Sequence, residues 1–403
     1  MNLRGKKTLV VGLGLSGRAA ARLLASRGAE VSVVDTRDEG AVAPAVDELR
    51  SLGIAVETGC QTIDGDYDFA VISPGLSPGS ELYRSVAAGG FPLLGELELG
   101  ARLAACLSMA VTGTNGKTTS TELIAKLLND CGKRSRAGGN IGVPVCDLVG
   151  DSHELDFLVL EASSFQLEQV EQFHPVISIL TNITTDHLDR YPGIPAYALA
   201  KARIFANQRP FDWAIIQSEA LAYLRTLGVA IPGRIITFSA TSRRADLHVD
   251  DNLIVSSLEG WEGPLLTMQQ TKLRGPHNAE NVMTALAVGR ILQLPLETMV
   301  RSLKSFDLAP HRCESVGEMN GVQFVNDSKA TNLDAMMKAI QSIPYVSPKE
   351  PNIWLIAGGS DKGFEFHDAG PLLAQRVKGA ILTGETSGRM TAAWNLFTSC
   401  QTA

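Results

Sequence analysis

Two glycine-rich turns constrain this chain more than any other feature, because each follows an apolar run and opens a helical pattern. The first, Gly12-Leu13-Gly14-Leu15-Ser16-Gly17, follows the strand-like TLVV segment, and EVSVVD (30–35) and FAVISPG (69–75) follow it in turn. The second, Val111-Thr112-Gly113-Thr114-Asn115-Gly116-Lys117-Thr118-Thr119, follows CLSMA and precedes a helix expected over 118–129. A strand that ends in glycine and feeds a helix is the repeating unit of a parallel sheet with crossover helices. Further strands are expected at 157–163, 176–183, 213–217 and 234–239, and LHVDDNLIVSS reads as a hairpin around Asp-Asp. A third restart follows Ser305, with GVQFVNDS, the helix NLDAMMKAIQSI, and then NIWLIAGG and KGAILTG. The simplest parse is three α/β units in series, 1–105, 106–305 and 306–403, with no internal repeat.

Composition narrows the function. A length of 403 residues fits two to three domains at about 150 residues each. With 45% hydrophobic and 20% charged residues the chain is globular, and a net charge of −7 argues against bulk binding to nucleic acid or anionic lipid. The six cysteines are scattered without a C-x-x-C pair, which predicts reduced, mostly buried thiols in a cytoplasmic protein. The apolar run near the N-terminus is short and broken by glycines, so it does not read as a signal peptide. No stretch approaches the roughly 18 apolar residues of a membrane span.

The two loops hold different things. A G-x-G-x-x-G turn lets backbone approach a diphosphate at a helix N-terminus, yet any first turn of this kind also needs glycines for packing. The second loop offers successive N–H groups as a phosphate nest, the Lys117 ammonium, and a Thr118 hydroxyl suited to Mg²⁺. It departs from the strict G-x-x-x-x-G-K-[ST] pattern, since Val111 stands at the first glycine position. A dehydrogenase has no use for a triphosphate loop, so the first loop is expected to serve another nucleotide diphosphate.

Other candidates sit at strand ends. Glu161 in LEASSFQLE and His187 in TNITTDHLDRYP could hold a divalent metal beside Thr118. Ligand softness favours zinc or manganese for a histidine, whereas a triphosphate favours Mg²⁺. A His capping a turn is the plainer alternative, with Asp186 and Asp189 as solvated turn residues. By spacing alone Lys201 is an ordinary surface lysine in an alanine-rich helix. Asn278 and Asn281 mark a helix start. Arg312, Asp327, Lys329 and Thr331, and Lys362 farther on, cluster near strand ends.

Together GLGLSG, DTR, SPG, TGTNGKTT, GGNIG, EASSFQLE, NITTDHLDRYP, K-x-R-I, GPHNAEN, PHR, NDSKATN and GGSDKG closely resemble the Mur ligase family of peptidoglycan synthesis, in family order. SSFQLE with NDSKATN resembles the glutamate-adding branch, and Thr118-Thr119 with SSFQLE fits the muramoyl branch better than the related folylpolyglutamate synthetases. The resemblance implies an α/β protein of three domains: a Rossmann-like UDP-binding domain, a central P-loop ATPase domain, and a Rossmann-like C-terminal domain. It implies a monomeric enzyme with UDP-N-acetylmuramoyl-L-alanine, D-glutamate and ATP as substrates, Mg²⁺ as cofactor, and no nucleic-acid or membrane partner. Leu15, Ser16, Thr36, Arg37, Ser73 and Asn140 would contact the UDP-sugar. Gly113, Thr114, Asn115, Gly116, Lys117, Thr118 and Thr119 would cradle ATP, with Asn278, Asn281, Arg312 and Asp327 around the nucleotide. Thr118, Glu161, His187 and Lys201 would serve the metal, Lys201 as an N-carboxylated (carbamylated) lysine. Lys117, Glu161, His187, Lys201 and Lys329 would carry catalysis, and Thr331 and Lys362 would engage D-glutamate. After Gly384 the string TGETSGRMTAAWNLFTSCQTA departs from the family, which continues to a Ser-Pro-Ala-type segment and an aromatic residue. The expectation is a C-terminal domain without its last strand, binding both nucleotides but adding D-glutamate weakly or not at all. The alternative that follows is a UDP-sugar and ATP-binding remnant with little turnover.

Overall fold

Both glycine turns lie where the strand order of a parallel sheet reverses. In the computed structural model, which describes residues 1–346 and 350–402, the first sheet comprises β1 (Lys7–Val11), β2 (Glu30–Asp35), β3 (Ala55–Thr58), β4 (Phe69–Ile72) and β5 (Leu93–Gly95). Its order is β3-β2-β1-β4-β5, all parallel. β1 therefore has β2 on one side and β4 on the other, and the crevice between their C-terminal ends is the usual ligand position of an open α/β sheet.

The middle sheet repeats the arrangement on a larger scale. It contains β6 (Leu107–Thr112), β7 (Ser135–Gly139), β8 (Phe157–Glu161), β9 (Ile177–Leu180), β10 (Trp213–Gln217), β11 (Arg234–Ser239), β12 (Leu247–Asp250), β13 (Leu253–Ser256) and β14 (Gly263–Thr267). The order is β14-β13-β12-β11-β10-β9-β6-β8-β7. β6 lies between β8 and β9, so Glu161 and the Thr181-Asn182 pair end the strands flanking the triphosphate loop. Alternate residues of β6 face opposite layers, as a pleated strand requires. Met109 and Val111 pack with the helices 117–130, 276–291 and 296–304, whereas Ala110 packs with 194–202 and 218–226. The Asp-Asp hairpin is present, with Asp251 and Asn252 at positive φ joining β12 to β13.

The third restart folds differently from a plain α/β unit. GVQFVN becomes β16 (Val322–Asn326), which pairs antiparallel with β15 (Glu314–Met319) in a separate ribbon. β17 (Ile353–Gly358), β18 (Val377–Thr383) and β19 (Ser399–Thr402) form a parallel sheet. The segment after Gly384 supplies a helix, Ser387–Trp394, and β19 itself. Cysteine usage also differs from expectation: all six thiols are free, but only Cys146 is buried and the others are half-buried.

One carboxylate ties the linker helix 96–103 to the middle sheet's layer. Glu98, fully buried, accepts the backbone N–H groups of Glu171, Gln172 and Phe173 at 3.0, 2.8 and 3.0 Å and pairs with Arg102 at 2.6 Å. Removing it strands three donors and a cation together. Glu98→Ala should therefore cost about 3 kcal/mol. Differential scanning calorimetry should show the melting temperature falling by several degrees. An unchanged melting temperature would mean the loop 171–173 holds without it.

Candidate active site

The first turn is a packed corner as well as an open helix end. A Cβ on Gly17 would strike the Gly12 carbonyl, and one on Gly12 would lie 2.6 Å from the Ser73 hydroxyl, so the turn after β1 packs its bare backbone against the helix start and the Ser73 side chain that follows β4. Helix 15–26 begins without a side-chain cap, which leaves its first N–H groups to a ligand; Leu15 is 63% exposed at its start and Ser16 is half-buried beside it. Ser73 Oγ is buried with no partner among the described residues. Asp35 is committed elsewhere. It accepts from Leu13 N–H at 2.6 Å and from the Arg37 guanidinium at 2.8–2.9 Å. Burial pushes this carboxyl up, but the hydrogen bonds from Arg37 and Leu13 outweigh that and hold it below its usual value. Thr36, exposed, and Arg37 follow β2, so Leu15, Ser16, Thr36, Arg37 and Ser73 share one sheet edge. Asn140 does not join them. Its amide donates to Glu161 Oε1 at 2.8 Å.

The second turn is clamped between β9 and the helix 276–291. Gly116 has φ +82°, and a Cβ there would collide with Asn281 Oδ1, so only glycine fits the close approach. Thr114 and Asn115 donate their N–H groups to Asn182 at 3.0 and 2.9 Å, and the Asn182 amide returns a bond to the Asn115 carbonyl at 3.0 Å. The phosphate nest is thus smaller than the sequence suggests. Two of its donors are spent, and the open ones are those that start helix 117–130, which has no side-chain cap.

Two lysines meet behind the loop. Lys117 Nζ donates to the carbonyls of Gly113 and Thr114 at 3.0 and 2.7 Å, and Lys201 Nζ donates to the same Gly113 oxygen at 2.7 Å. Lys201 is 1% exposed with its ammonium 4.3 Å from the Tyr197 ring centroid, so the surface role that spacing suggested is wrong. An alanine-rich helix hides this because a single long side chain can turn inward among small neighbours. Burial pushes both amines down, Lys201 far down, and the Lys117 charge lowers Lys201 further.

Glu161, 2% exposed, accepts from the Thr118 hydroxyl at 2.8 Å and from Asn140, and has no ion pair among the described residues. A buried carboxylate held only by neutral donors, near a hydroxyl and a deprotonation-prone amine, fits a divalent cation with hard oxygen ligands. His187 adopts φ +55° and packs its ring against Phe165 at 4.8 Å, with burial lowering its pKa. Among the described residues no three His, Cys, Asp or Glu side chains converge as a metal cage, so a metal here would depend on Thr118 and a modified Lys201 as well. Asp186 is not a solvated turn residue. It is buried, 3.7 Å from Lys362 Nζ and hydrogen-bonded by Asn332 at 3.2 Å.

A cleft beside the loop gathers most of the remaining candidates. Asn115, Gly116, Thr119, Asn278, Asn281, Arg312, Asp327 and Lys329 all line it. Arg312 stands between His311 and Cys313, both at positive φ, and Asp327 fixes that strained segment by accepting Cys313 N–H at 2.9 Å. Asn281 accepts from Ser120 at 3.1 Å, which locks helix 276–291 onto helix 117–130. Thr331 and Lys362 come together, with Lys362 Nζ 3.3 Å from the Thr331 carbonyl. Sequence reading missed Asn182, His277 and Lys338, which also line the cleft. The Asn-Ile-Thr-Thr run after β9 and the His between Pro276 and Asn278 were the available signals.

Comparison with known proteins defines the class. Residues 111–289 match the Mur ligase middle domain, 311–402 the glutamate ligase domain of Mur ligases, and 6–95 the MurD-like N-terminal domain. The chain belongs to the Mur ligase family. Within it, the chain is 40% identical over 395 residues to the UDP-N-acetylmuramoylalanine–D-glutamate ligase of Acidobacterium capsulatum, covering 97% of this chain and 84% of that protein. It is 38% identical to the protein of the same name from Geotalea uraniireducens, covering 97% and 85%. Among solved structures, the fold matches a UDP-N-acetylmuramate-alanine ligase from Thermotoga maritima at TM-score 0.60 and 19% identity, over 99% of this chain and 90% of that one. A MurF ligase from Thermotoga maritima in complex with ADP matches at TM-score 0.60 and 15% identity, over 99% and 86%. No helix among the described residues is long and apolar enough to cross a membrane.

His277 gives the cleft a pH signature. Burial pushes its imidazole from the usual 6.5 down to about 4, with Lys338 adding to the fall, and its Nδ1 has no partner among the described residues. The unfolded chain therefore binds a proton there that the folded chain refuses between these values, so this residue's contribution to stability is present above pH 6.5 and is lost as pH falls toward 4. The melting temperature of the wild type should drop more steeply over that range than that of His277→Asn. Parallel profiles would refute the depressed value.

Proposed function

We propose that this chain joins D-glutamate to UDP-N-acetylmuramoyl-L-alanine, with ATP converted to ADP and phosphate through an acyl phosphate. The observation that carries the reading is the meeting of Lys117 and Lys201 on the Gly113 carbonyl, beside Glu161 and next to the polar cleft. The names of the relatives at 40% and 38% identity support the same choice of substrates. The working division is a UDP-binding unit over 1–105, an ATPase unit over 106–305 and a D-glutamate unit over 306–403.

In this reading Leu15, Ser16, Thr36, Arg37 and Ser73 hold the UDP-sugar at the first turn. Asn140 bridges toward the reacting end through Glu161. Gly113 to Thr119 cradle the phosphates, and Asn278, Asn281, Arg312 and Asp327 enclose the rest of the nucleotide. Thr118, Glu161, His187 and carbamylated Lys201 would hold Mg²⁺, which when bound neutralises the triphosphate and polarises the γ-phosphoryl oxygens. The low pKa of Lys201 supports the modification, because only a neutral amine adds to CO₂, and the product is a hard anionic ligand.

The L-alanyl carboxylate attacks the γ-phosphorus in line, forming the acyl phosphate as the bond to ADP breaks. Two anions must approach each other, and the Lys117 ammonium lowers the repulsion between them. Lys329 serves the transferred phosphoryl group. Thr331 and Lys362 orient D-glutamate so that its neutral amine attacks the acyl carbon; the amine loses a proton as inorganic phosphate leaves, and the amide remains. Catalysis is positioning and electrostatics, with no protein nucleophile.

An ADP-release assay tests the reading. Release should require both UDP-N-acetylmuramoyl-L-alanine and D-glutamate. Lys117→Ala should lower it by at least about two orders of magnitude, the scale of losing a preorganised charge contact. Lys201→Ala should abolish turnover, with partial return on adding acetate as a surrogate carboxylate. Release independent of D-glutamate, or undiminished in Lys117→Ala, would contradict the assignment.

A further inference from the structure

The helix Leu333–Ser342 of the C-terminal unit grips the triphosphate loop through side chains that have no part in the reaction above. The Asn115 amide donates to Asp334 Oδ2 at 2.6 Å and exchanges hydrogen bonds with Asn332 at 3.0 and 3.4 Å. The Thr184 hydroxyl donates to the same Asp334 oxygen at 3.3 Å. Lys338, one turn along the helix, holds that carboxylate at 2.9 Å. Asn332 caps the helix through Ala335 N–H at 2.8 Å while its amide reaches Asp186 at 3.2 Å. Residues 115, 184 and 186 belong to loops of the middle sheet, and 334 and 338 to one helix of the other unit, with 332 as its N-cap.

Asn115 thus occupies two settings at once. Its backbone is part of the triphosphate loop, pinned to Asn182, whereas its side chain is satisfied by a helix more than two hundred residues away in sequence. Asp334 sits in the first turn of that helix, where the helix dipole favours an anion, and Lys338 offsets its charge so that a carboxylate can stand near a triphosphate site. Asp334 itself does not line the nucleotide cleft.

We propose that Asp334 is a positioning residue for the triphosphate loop, supplied from the C-terminal unit of the same chain. It fixes Asn115 only when that unit is seated, so nucleotide binding and seating of the unit strengthen one another. Reciprocity is a thermodynamic requirement: whatever factor seating adds to nucleotide affinity, nucleotide adds to seating. The inference rests on Gly113–Thr119 being a triphosphate loop.

The test uses the full chain and a non-hydrolysable ATP analogue. Titration calorimetry gives affinity, and small-angle scattering gives the radius of gyration with and without the analogue. Asp334→Ser keeps a polar residue suited to a helix start but is too short to reach Asn115. It should bind about tenfold more weakly, within the usual range of coupling between sites, and should stay more expanded with the analogue than the wild type. Asp334→Asn keeps an acceptor oxygen for Asn115 and Thr184 and should recover most of the affinity. Wild-type affinity and dimensions in Asp334→Ser would overturn the proposal, as would an equal loss in both variants. Failure of the wild type to bind the analogue would instead refute the triphosphate loop.

Discussion

Two amines on one carbonyl oxygen, one buried and one half-buried, set the terms for the rest of this structure. Lys117 and Lys201 both donate to Gly113. Like charges so close repel by several kcal/mol even at an effective dielectric of about 20. Burial adds a penalty for each charge, and the directions of both pKa changes follow. The conflict has two physical exits. One amine stays charged and waits for an anion, and the other becomes neutral and open to modification. In the proposed function the first exit falls to Lys117, at the start of a helix whose N–H groups lack a side-chain cap. The second falls to Lys201, which is boxed in by Tyr197 and the loop carbonyl.

Everything around the pair serves to keep that oxygen in place. β6 brings Gly113 to the centre of the sheet, and Thr181 and Asn182 at the end of β9 fasten the next two residues. Glu161, from the strand on the other side, faces Thr118. Helix 276–291 is buried on nearly every side, which explains why its Asn278, Glu280 and Asn281 are so enclosed. Polar side chains in such a helix must be satisfied internally or by a ligand. Asn281 locks to Ser120 while the loop side of the helix lines the open cleft.

Much of this was legible in the sequence. The strands flanking each glycine loop, the hairpin at Asp251 and most of the cleft residues follow from apolar runs, turn chemistry and motif order. The failures have physical causes. β7, reading SRAGG, has almost no β-propensity and exists because β8 offers it an edge. β16 carries the apolar alternation of any strand, and that pattern does not reveal an antiparallel partner in place of a parallel one. Lys201 and Asp186 read as exposed because charged residues usually are, and only the fold around a buried site reverses that expectation. His277 and Asn182 act through positions on a helix and a strand end that no local spacing singles out.

The division of labour between the two lysines is the central claim, and carbon-13 NMR of the intact protein in ¹³C-bicarbonate tests it most directly. The account predicts one carbamate resonance at neutral pH that is absent from Lys201→Arg and retained in Lys117→Ala. No carbamate resonance in a fully active wild-type sample, or one that disappears only with Lys117, would contradict it.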